Sequence, residues 1–277
     1  MRENRIRIRK RQRLKNALLL AISALLIALG FLAPFLKNCK TADTPKPSST
    51  PFLTHIALPP PENLTTIFSP TPGPTSTIPV FDPKFCFLVN WDHPLENTER
   101  PSDLVVTGEF FTDEVALTNP EMSINRFAAE AAREMFLHAA AFGHRYKIAS
   151  AYRSVSYQEQ LFAEALAENP DYARDPFVNP VRVVPAAMSE HATGLALDIV
   201  LEDDWNRDFE GTPEALWLEE NAHLYGFILR YPKGKEHITG VIFEPWHFRF
   251  VGKDAAAYIY ENDLTLEEFY DSIKTGG

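Results

Sequence analysis

The segment Ser189–Asp198 reads SEHATGLALD and places a histidine, a glycine and an aspartate beside an apolar run. Because residues 195–201 are short, continuous and mainly apolar, we predict a buried strand there. Gly194 lets the backbone turn sharply, so that the side chains of His191 and Asp198 can converge. Imidazole and carboxylate are both good zinc ligands. The segment therefore predicts two metal ligands on a strand. A capped turn with a surface histidine is the alternative.

A second segment, Glu244-Pro-Trp-His247, places an acid three residues before a histidine. The proline and the strand-like composition argue against a helix at this point. A catalytic zinc takes three protein ligands and keeps one position for water, so His247 would complete the set. The carboxylate of Glu244 would then take the proton from that water as it attacks a peptide carbonyl. An edge-strand acid beside a packed aromatic is the alternative for this segment taken alone.

Around these two segments, helical and strand-like patterns mix without a regular β-α-β alternation. This mixture predicts an α+β domain, in which a small antiparallel sheet is flanked by helices and carries the zinc site. Capping signals mark the helix starts: Ser123, Ser156 with Glu159, Thr212 with Pro213, and Thr265 with Glu268. The predicted helices are 125–142, 156–168, 213–226 and one after residue 265, and the predicted strands are 147–150, 195–201, 227–231 and 247–251.

The N-terminal part has the pattern of a membrane anchor. Residues 1–16 form a basic tail, and Ala17–Leu36 is an uncharged apolar run that, as a helix, suits a ~30 Å hydrocarbon core. The positive flank predicts a cytoplasmic tail and a body on the other side of the membrane. A cleavable signal peptide is the alternative, because Ala28-Leu-Gly30 resembles a cleavage site.

Between the anchor and the domain lies a stretch rich in proline, threonine and serine. Residues 37–83 include Pro59-Pro-Pro61 and are typical of an extended stalk, which leaves residues 84–277 for the folded domain. The two cysteines, Cys39 and Cys86, form no zinc-finger pattern. Outside the cytoplasm they could pair, although we do not favour that pairing.

The charge distribution argues against nucleic acid as a partner. The first 15 residues carry eight basic side chains and one acid, a net charge of +7, so the formal charge of -10 leaves -17 for the remainder. Phosphate binding needs a basic face, which an acidic body does not offer. The basic arm precedes an apolar run and is better explained as a topology signal.

Five stretches together resemble the VanY-type D-alanyl-D-alanine carboxypeptidases, which belong to the lysostaphin-like and hedgehog-like zinc folds. They are SEHATGLALD, EPWH, SAYRSVSYQ at 150–158, YGFILRYPKGK at 225–235 and FLVNWDHPL at 87–95. The resemblance covers nearly all of the domain and none of the anchor or stalk. It implies an exported bacterial enzyme that acts on peptidoglycan stem peptides.

The resemblance also implies a role for particular residues. Zn²⁺ would be held by His191, Asp198 and His247, with Glu244 as the general base. Arg153 would polarise the scissile carbonyl or hold the terminal carboxylate, tasks that suit a fixed guanidinium. The residues that would line the substrate groove are Gln158, Ser189, Tyr231 and Trp246.

Several functions compete with a carboxypeptidase that removes D-alanine, of which we favour the D,D type. An L,D-carboxypeptidase or a peptidoglycan endopeptidase would use the same fold. A serine D,D-peptidase would need a Ser-x-x-Lys pair, and the sequence has none. A non-catalytic wall-binding module with a structural zinc is a further alternative, but such zinc sites are usually closed by four protein ligands.

Overall fold

The computed structural model of the protein describes residues 80–202 and 209–275, in which the strands form two sheets. The main sheet has five strands in the order β2-β4-β5-β7-β6, and the small sheet pairs β1 with β3. The strands are β1 (Leu104–Val106), β2 (Ala116–Leu117), β3 (Ser123–Asn125), β4 (Tyr146–Ser150), β5 (Ala196–Leu201), β6 (Phe227–Leu229) and β7 (His247–Phe250).

The direction of the strands corrects one prediction. The pairs β4–β5, β5–β7 and β7–β6 are antiparallel, as predicted, but the short edge strand β2 runs parallel to β4. A two-residue strand carries too little periodicity to be recognised in a sequence. Strand β7, the last strand along the described chain, lies in the interior of the sheet between β5 and β6.

The described residues form seven α-helices besides the two sheets, and side-chain caps explain where several of them begin. Asn125 accepts from the amides of Phe127 and Ala128, and therefore Asn125, rather than the predicted Ser123, caps the first long helix. Ser154 caps the next helix, so the cap predicted at Ser156 was wrong by two residues. The helices are α1 (Thr107–Phe110), α2 (Arg126–Ala141), α3 (Val155–Glu168), α4 (Pro213–Asn221), α5 (Glu236–Thr239), α6 (Lys253–Glu261) and α7 (Leu266–Thr275).

Two helix starts agree with the predicted capping signals. Thr212 accepts from the amide of Ala215 with Pro213 in the first turn of α4. At α7, the amide of Glu268 donates to Thr265 Oγ1 over 3.1 Å and the amide of Thr265 donates to Glu268 Oε2 over 2.8 Å. This reciprocal pair is a capping box. Helix α4 ends earlier than predicted, because a short 3-10 turn at Ala222–Tyr225 precedes Gly226.

The alternation of side chains along β5 and β7 separates the core from the site. Leu197 and Ile199 on β5 and Phe248 on β7 are fully buried in the main apolar cluster with α2. Because successive side chains of a strand point to opposite faces, Asp198 and His247 lie on the other face of the sheet. One face of the sheet thus makes the core and the other carries the chemistry.

The predicted membrane anchor cannot be compared with this structure. Among residues 80–202 and 209–275, no helix is both long and apolar enough to cross a bilayer. The predicted tail, the run Ala17–Leu36 and nearly all of the predicted stalk lie outside the described residues, as does Cys39. Cys86 is buried, and its pairing with Cys39, which the sequence does not favour, is not tested by the described residues.

Candidate metal centre and active site

Three potential metal ligands come together on the open face of the sheet. Asp198 on β5 is the direct register partner of His247 on β7. His191 belongs to a 3-10 turn, Glu190–Thr193, that leads into β5. One ligand atom from each of the three side chains lies within 4.8 Å of the others. The sheet register and one turn therefore assemble the predicted set.

The turn that carries His191 is held by its own sequence. Thr193 Oγ1 donates to the carbonyl of Glu190 over 2.6 Å and accepts from the amide of Leu195 over 3.0 Å. Gly194 has φ +72°, a left-handed conformation that glycine adopts without a steric penalty. The threonine and the glycine of SEHATGLALD thus turn the chain so that His191 faces Asp198.

We expect Gly194→Ala to destabilise the protein by about 2–5 kcal/mol, which combines the cost of a left-handed alanine with that of overpacking. A Cβ at residue 194 would meet the movable end of the Leu104 side chain and would lie 3.2 Å from the backbone nitrogen of Asn125, which cannot move aside as easily. Gly211 has the same φ of +72° with nothing within 4 Å of such a Cβ, so Gly211→Ala is the matched control, with an expected cost of about 1–2 kcal/mol. Denaturant unfolding of both variants measures the difference, and equal losses would contradict the predicted clash.

The two histidines present different ring nitrogens to the site. His191 Nδ1 lies 2.7 Å from the carbonyl of Ala151, and since a carbonyl only accepts, Nδ1 carries the proton. Its Nε2 is left with a lone pair, 3.4 Å from Asp198 Oδ2. His247 faces the group with Nδ1, which is 3.1 Å from Asp198 Oδ1.

The electrostatics of the group fit a divalent cation. Burial alone would raise the pKa of Asp198, but His191 and His247 hold it well below its usual range. Burial would lower the pKa of His247, yet its contacts with Asp198 and Glu190 raise it to about 9. Within the described residues, Asp198 Oδ1 is buried without a hydrogen-bond partner. The ionised carboxylate of Asp198 and its unpaired oxygen are what a cation ligated here would satisfy.

Glu244 lies beside this group without being one of the three ligands. Its Oε2 is 3.6 Å from His247 Nδ1, and the carboxylate is 7% exposed. The backbone holds it there, because the amide of Glu244 donates to the carbonyl of Tyr231 and its carbonyl accepts from the amide of His247. Burial raises the pKa of Glu244 to about 7. A carboxyl group with that pKa can accept a proton and return it near neutral pH.

Arg153 places a guanidinium group beside the candidate metal ligands. Its backbone amide donates to the carbonyl of His191, and its guanidinium donates to Gln158 over 2.7 Å and to Ser150 over 3.2 Å. Nη2 also lies 3.7 Å from Asp198 Oδ2. Gln158 in turn donates to the carbonyl of Val184 over 2.8 Å. The guanidinium is thus fixed next to the metal ligands.

All nine predicted site residues border a single cleft of about 330 Å³. That volume lies at the lower end of the range for small-molecule sites. Ser189 and Tyr231 are buried in its wall, and the ring of Tyr231 packs 4.9 Å from that of His247. The nine are Arg153, Gln158, Ser189, His191, Asp198, Tyr231, Glu244, Trp246 and His247.

Two charged residues of this cleft, Arg182 and Glu190, were not predicted from the sequence. The Arg182 guanidinium lies 5.1 Å from the ring of Trp246, a cation–π contact at the mouth of the cleft. No motif marks Arg182, and only the fold brings it there. Glu190 directly precedes His191 in SEHATGLALD, but acidic side chains are usually exposed, so the sequence did not indicate that it is buried. The structure buries it instead.

The sequence is similar to those of several known proteins. The family model described as VanY, D-alanyl-D-alanine carboxypeptidase, matches residues 121–253. YodJ of Bacillus subtilis (strain 168) is 39% identical over 191 residues, which are 68% of this chain and 67% of YodJ.

Solved structures show the same relationship. The LdcB LD-carboxypeptidase superimposes with a TM-score of 0.58 at 38% identity, over 66% of this chain and 84% of LdcB. A vancomycin-resistance D,D-pentapeptidase VanY in complex with Zn(II) superimposes with a TM-score of 0.55 at 32% identity, over 68% of this chain and 99% of that one.

Proposed function

Because the chain belongs to the VanY family of D-alanyl-D-alanine carboxypeptidases, and is thus a zinc metallopeptidase, we propose that it removes the C-terminal D-alanine from peptidoglycan stem peptides. The observation that supports this most is the grouping of three ligand atoms within 4.8 Å at the floor of a cleft. Three protein ligands leave a coordination position open for chemistry, whereas structural zinc sites are usually closed by four. The ligand set therefore supports catalysis over a wall-binding role.

The residues around the ligands have separable tasks. Zinc, when bound to His191, Asp198 and His247, supplies Lewis acidity toward water and the peptide carbonyl. Glu244 accepts the proton of the attacking water and returns it to the amine nitrogen of the departing D-alanine as the C–N bond breaks. Arg153, fixed 3.7 Å from Asp198, donates to the carbonyl oxygen as negative charge develops on it.

Two peptide bonds of the stem are candidates for cleavage. We favour the D,D bond of a pentapeptide stem, which is the bond suggested by the family description and by the VanY neighbour. The L,D bond of a tetrapeptide stem is the second candidate. The LD-carboxypeptidase LdcB supports it, since its identity to this chain and its TM-score are both the higher of the two.

Mass spectrometry of the products separates these candidates. The full-length protein, purified with zinc, is incubated with pentapeptide and tetrapeptide muropeptides. Loss of one alanine from the pentapeptide alone supports the D,D type, and loss from the tetrapeptide alone supports the L,D type. Cleavage of neither by zinc-loaded protein contradicts the proposal and favours an endopeptidase or a wall-binding module.

We also propose that the enzyme is anchored in the bacterial cell membrane with its catalytic domain outside. The basic tail followed by Ala17–Leu36 supports this topology. Protease added to intact spheroplasts should then degrade the domain while sparing the N-terminal tail. A domain that is protected until the membrane is broken would contradict the topology.

A further inference from the structure

Glu190 is a buried carboxylate directly behind the metal ligands. It precedes His191 in the chain, yet its side chain lies on the far side of His247 and is 0% exposed. Its Oε1 is 2.7 Å from Arg230 Nε and 2.9 Å from Arg249 Nη1, and both arginine side chains are also 0% exposed. Burying a charged carboxylate costs free energy unless its oxygens are hydrogen-bonded or paired with a positive charge, so both oxygens of Glu190 are expected to have partners.

The two arginines both contact the same carboxylate oxygen, Oε1. Arg230 directs its Nη1 and Nη2 to Glu267 over 2.8 and 2.6 Å. Arg249 donates through Nη2 and Nε to the backbone carbonyls of Phe85, Phe87 and Phe250. Glu190 Oε2 is left buried without a hydrogen-bond partner among the described residues.

The atom that faces this oxygen belongs to a metal ligand. His247 Nε2 lies 3.7 Å from Glu190 Oε2 and is likewise buried with no hydrogen-bond partner in the described part of the chain. The opposite nitrogen of the ring, Nδ1, faces Asp198 Oδ1 at 3.1 Å. The imidazole therefore spans from the carboxylate to the metal group, and a shift of well under 1 Å would close a hydrogen bond.

His191 shows the same arrangement with a different acceptor. The carbonyl of Ala151 fixes its Nδ1 and leaves Nε2 for the metal. In metal sites, an acceptor on the outer nitrogen sets the tautomer and the orientation of a histidine ligand. For His191 that acceptor is the backbone. For His247 the only acceptor in the corresponding place, within the described residues, is a side chain that mutation can change.

We propose that Glu190 is a positioning residue of the zinc site, whose Oε2 accepts a hydrogen bond from His247 Nε2 and so directs Nδ1 toward the metal. The inference rests on the proposed function, because it takes His247 as a zinc ligand. The Glu190 side chain is 0% exposed and is not among the three grouped ligand residues, so it would act through His247. Loss of such an outer partner typically lowers metal affinity about 10- to 100-fold.

Two variants of the full-length protein test the proposal. Glu190→Gln and Glu267→Gln each remove one carboxylate from the buried Arg230, but only Glu190 faces His247. Zinc affinity is measured by competition with a chromophoric chelator, which does not depend on turnover. We expect Glu190→Gln to bind zinc about 10- to 100-fold more weakly and Glu267→Gln to bind like the unmodified protein. The visible spectrum of the cobalt(II)-substituted protein should change in Glu190→Gln alone.

The possible results separate the inference from the function. Equal zinc affinities and equal cobalt spectra in the two variants would overturn the role of Glu190. An unmodified protein that binds no zinc would overturn the proposed function and this inference with it. If Glu190→Gln does not fold, ¹⁵N-histidine NMR of the zinc-loaded unmodified protein can show which ring nitrogen of His247 carries the proton. A His247 Nε2 proton protected from solvent exchange supports the proposal, and a proton on Nδ1 overturns it.

Discussion

Replacing Glu244 with glutamine is expected to lower kcat by about two to four orders of magnitude, the usual contribution of a general base. Glutamine keeps the shape of the side chain but cannot accept the proton of the attacking water. Zinc content should not change, because the three grouped ligand atoms belong to His191, Asp198 and His247. Kinetics on the preferred muropeptide, together with metal analysis of the same preparation, measure both effects.

The control for this variant is an acid far from the chemistry. Glu130 lies exposed on α2, so Glu130→Gln should leave kcat and zinc content as they are. A Glu244→Gln protein that keeps full turnover would show that another group takes the proton. Loss of zinc from the variant would instead make Glu244 part of the metal site.

Replacing Arg230 with methionine is expected to lower the free energy of unfolding by about 3–5 kcal/mol. Arg230 is fully buried between Glu190 and Glu267, at 2.7 and 2.6 Å. Methionine fills much of the same space but leaves two buried carboxylates without their shared cation. Denaturant unfolding in the presence of a chelator measures this loss without a contribution from bound metal.

Arg174 provides the matched control. It pairs with Asp171 over 3.2 Å, but both side chains are more than two-thirds exposed, at 79% and 73%. An ion pair in water contributes little, so Arg174→Met should unfold almost as the unmodified protein does. If Arg230→Met were equally harmless, the buried ion pairs would be contributing nothing to stability.

The structure brings the three candidate ligands together, and the sequence could indicate them because each half of the group is local. His191, Gly194 and Asp198 lie within eight residues, and Glu244 precedes His247 by three. Each short segment carries its own turn chemistry and strand pattern, so the candidates could be named before the fold was known. The register that pairs Asp198 with His247 then brings the two segments together.

The buried ion pairs could not be predicted in the same way. Glu190 is 40 residues from Arg230, and Arg230 is 37 residues from Glu267. Charged residues are usually exposed, so nothing in the composition indicated that these side chains form a closed group. The helix cap at Ser154 was missed for a simpler reason, because Ser154 and Ser156 are both suitable caps and only the geometry chooses between them.

The interior place of β7 has a consequence for how an active molecule arises. This strand follows all the others along the described chain, yet β5 and β6 both pair with it. A ribosome must therefore deliver almost the whole domain before the sheet can close, and such distant pairings are slow to form. A chain cut short before residue 247 would lack an interior strand as well as a metal ligand. Truncated products should consequently be unfolded and degraded, not partly active.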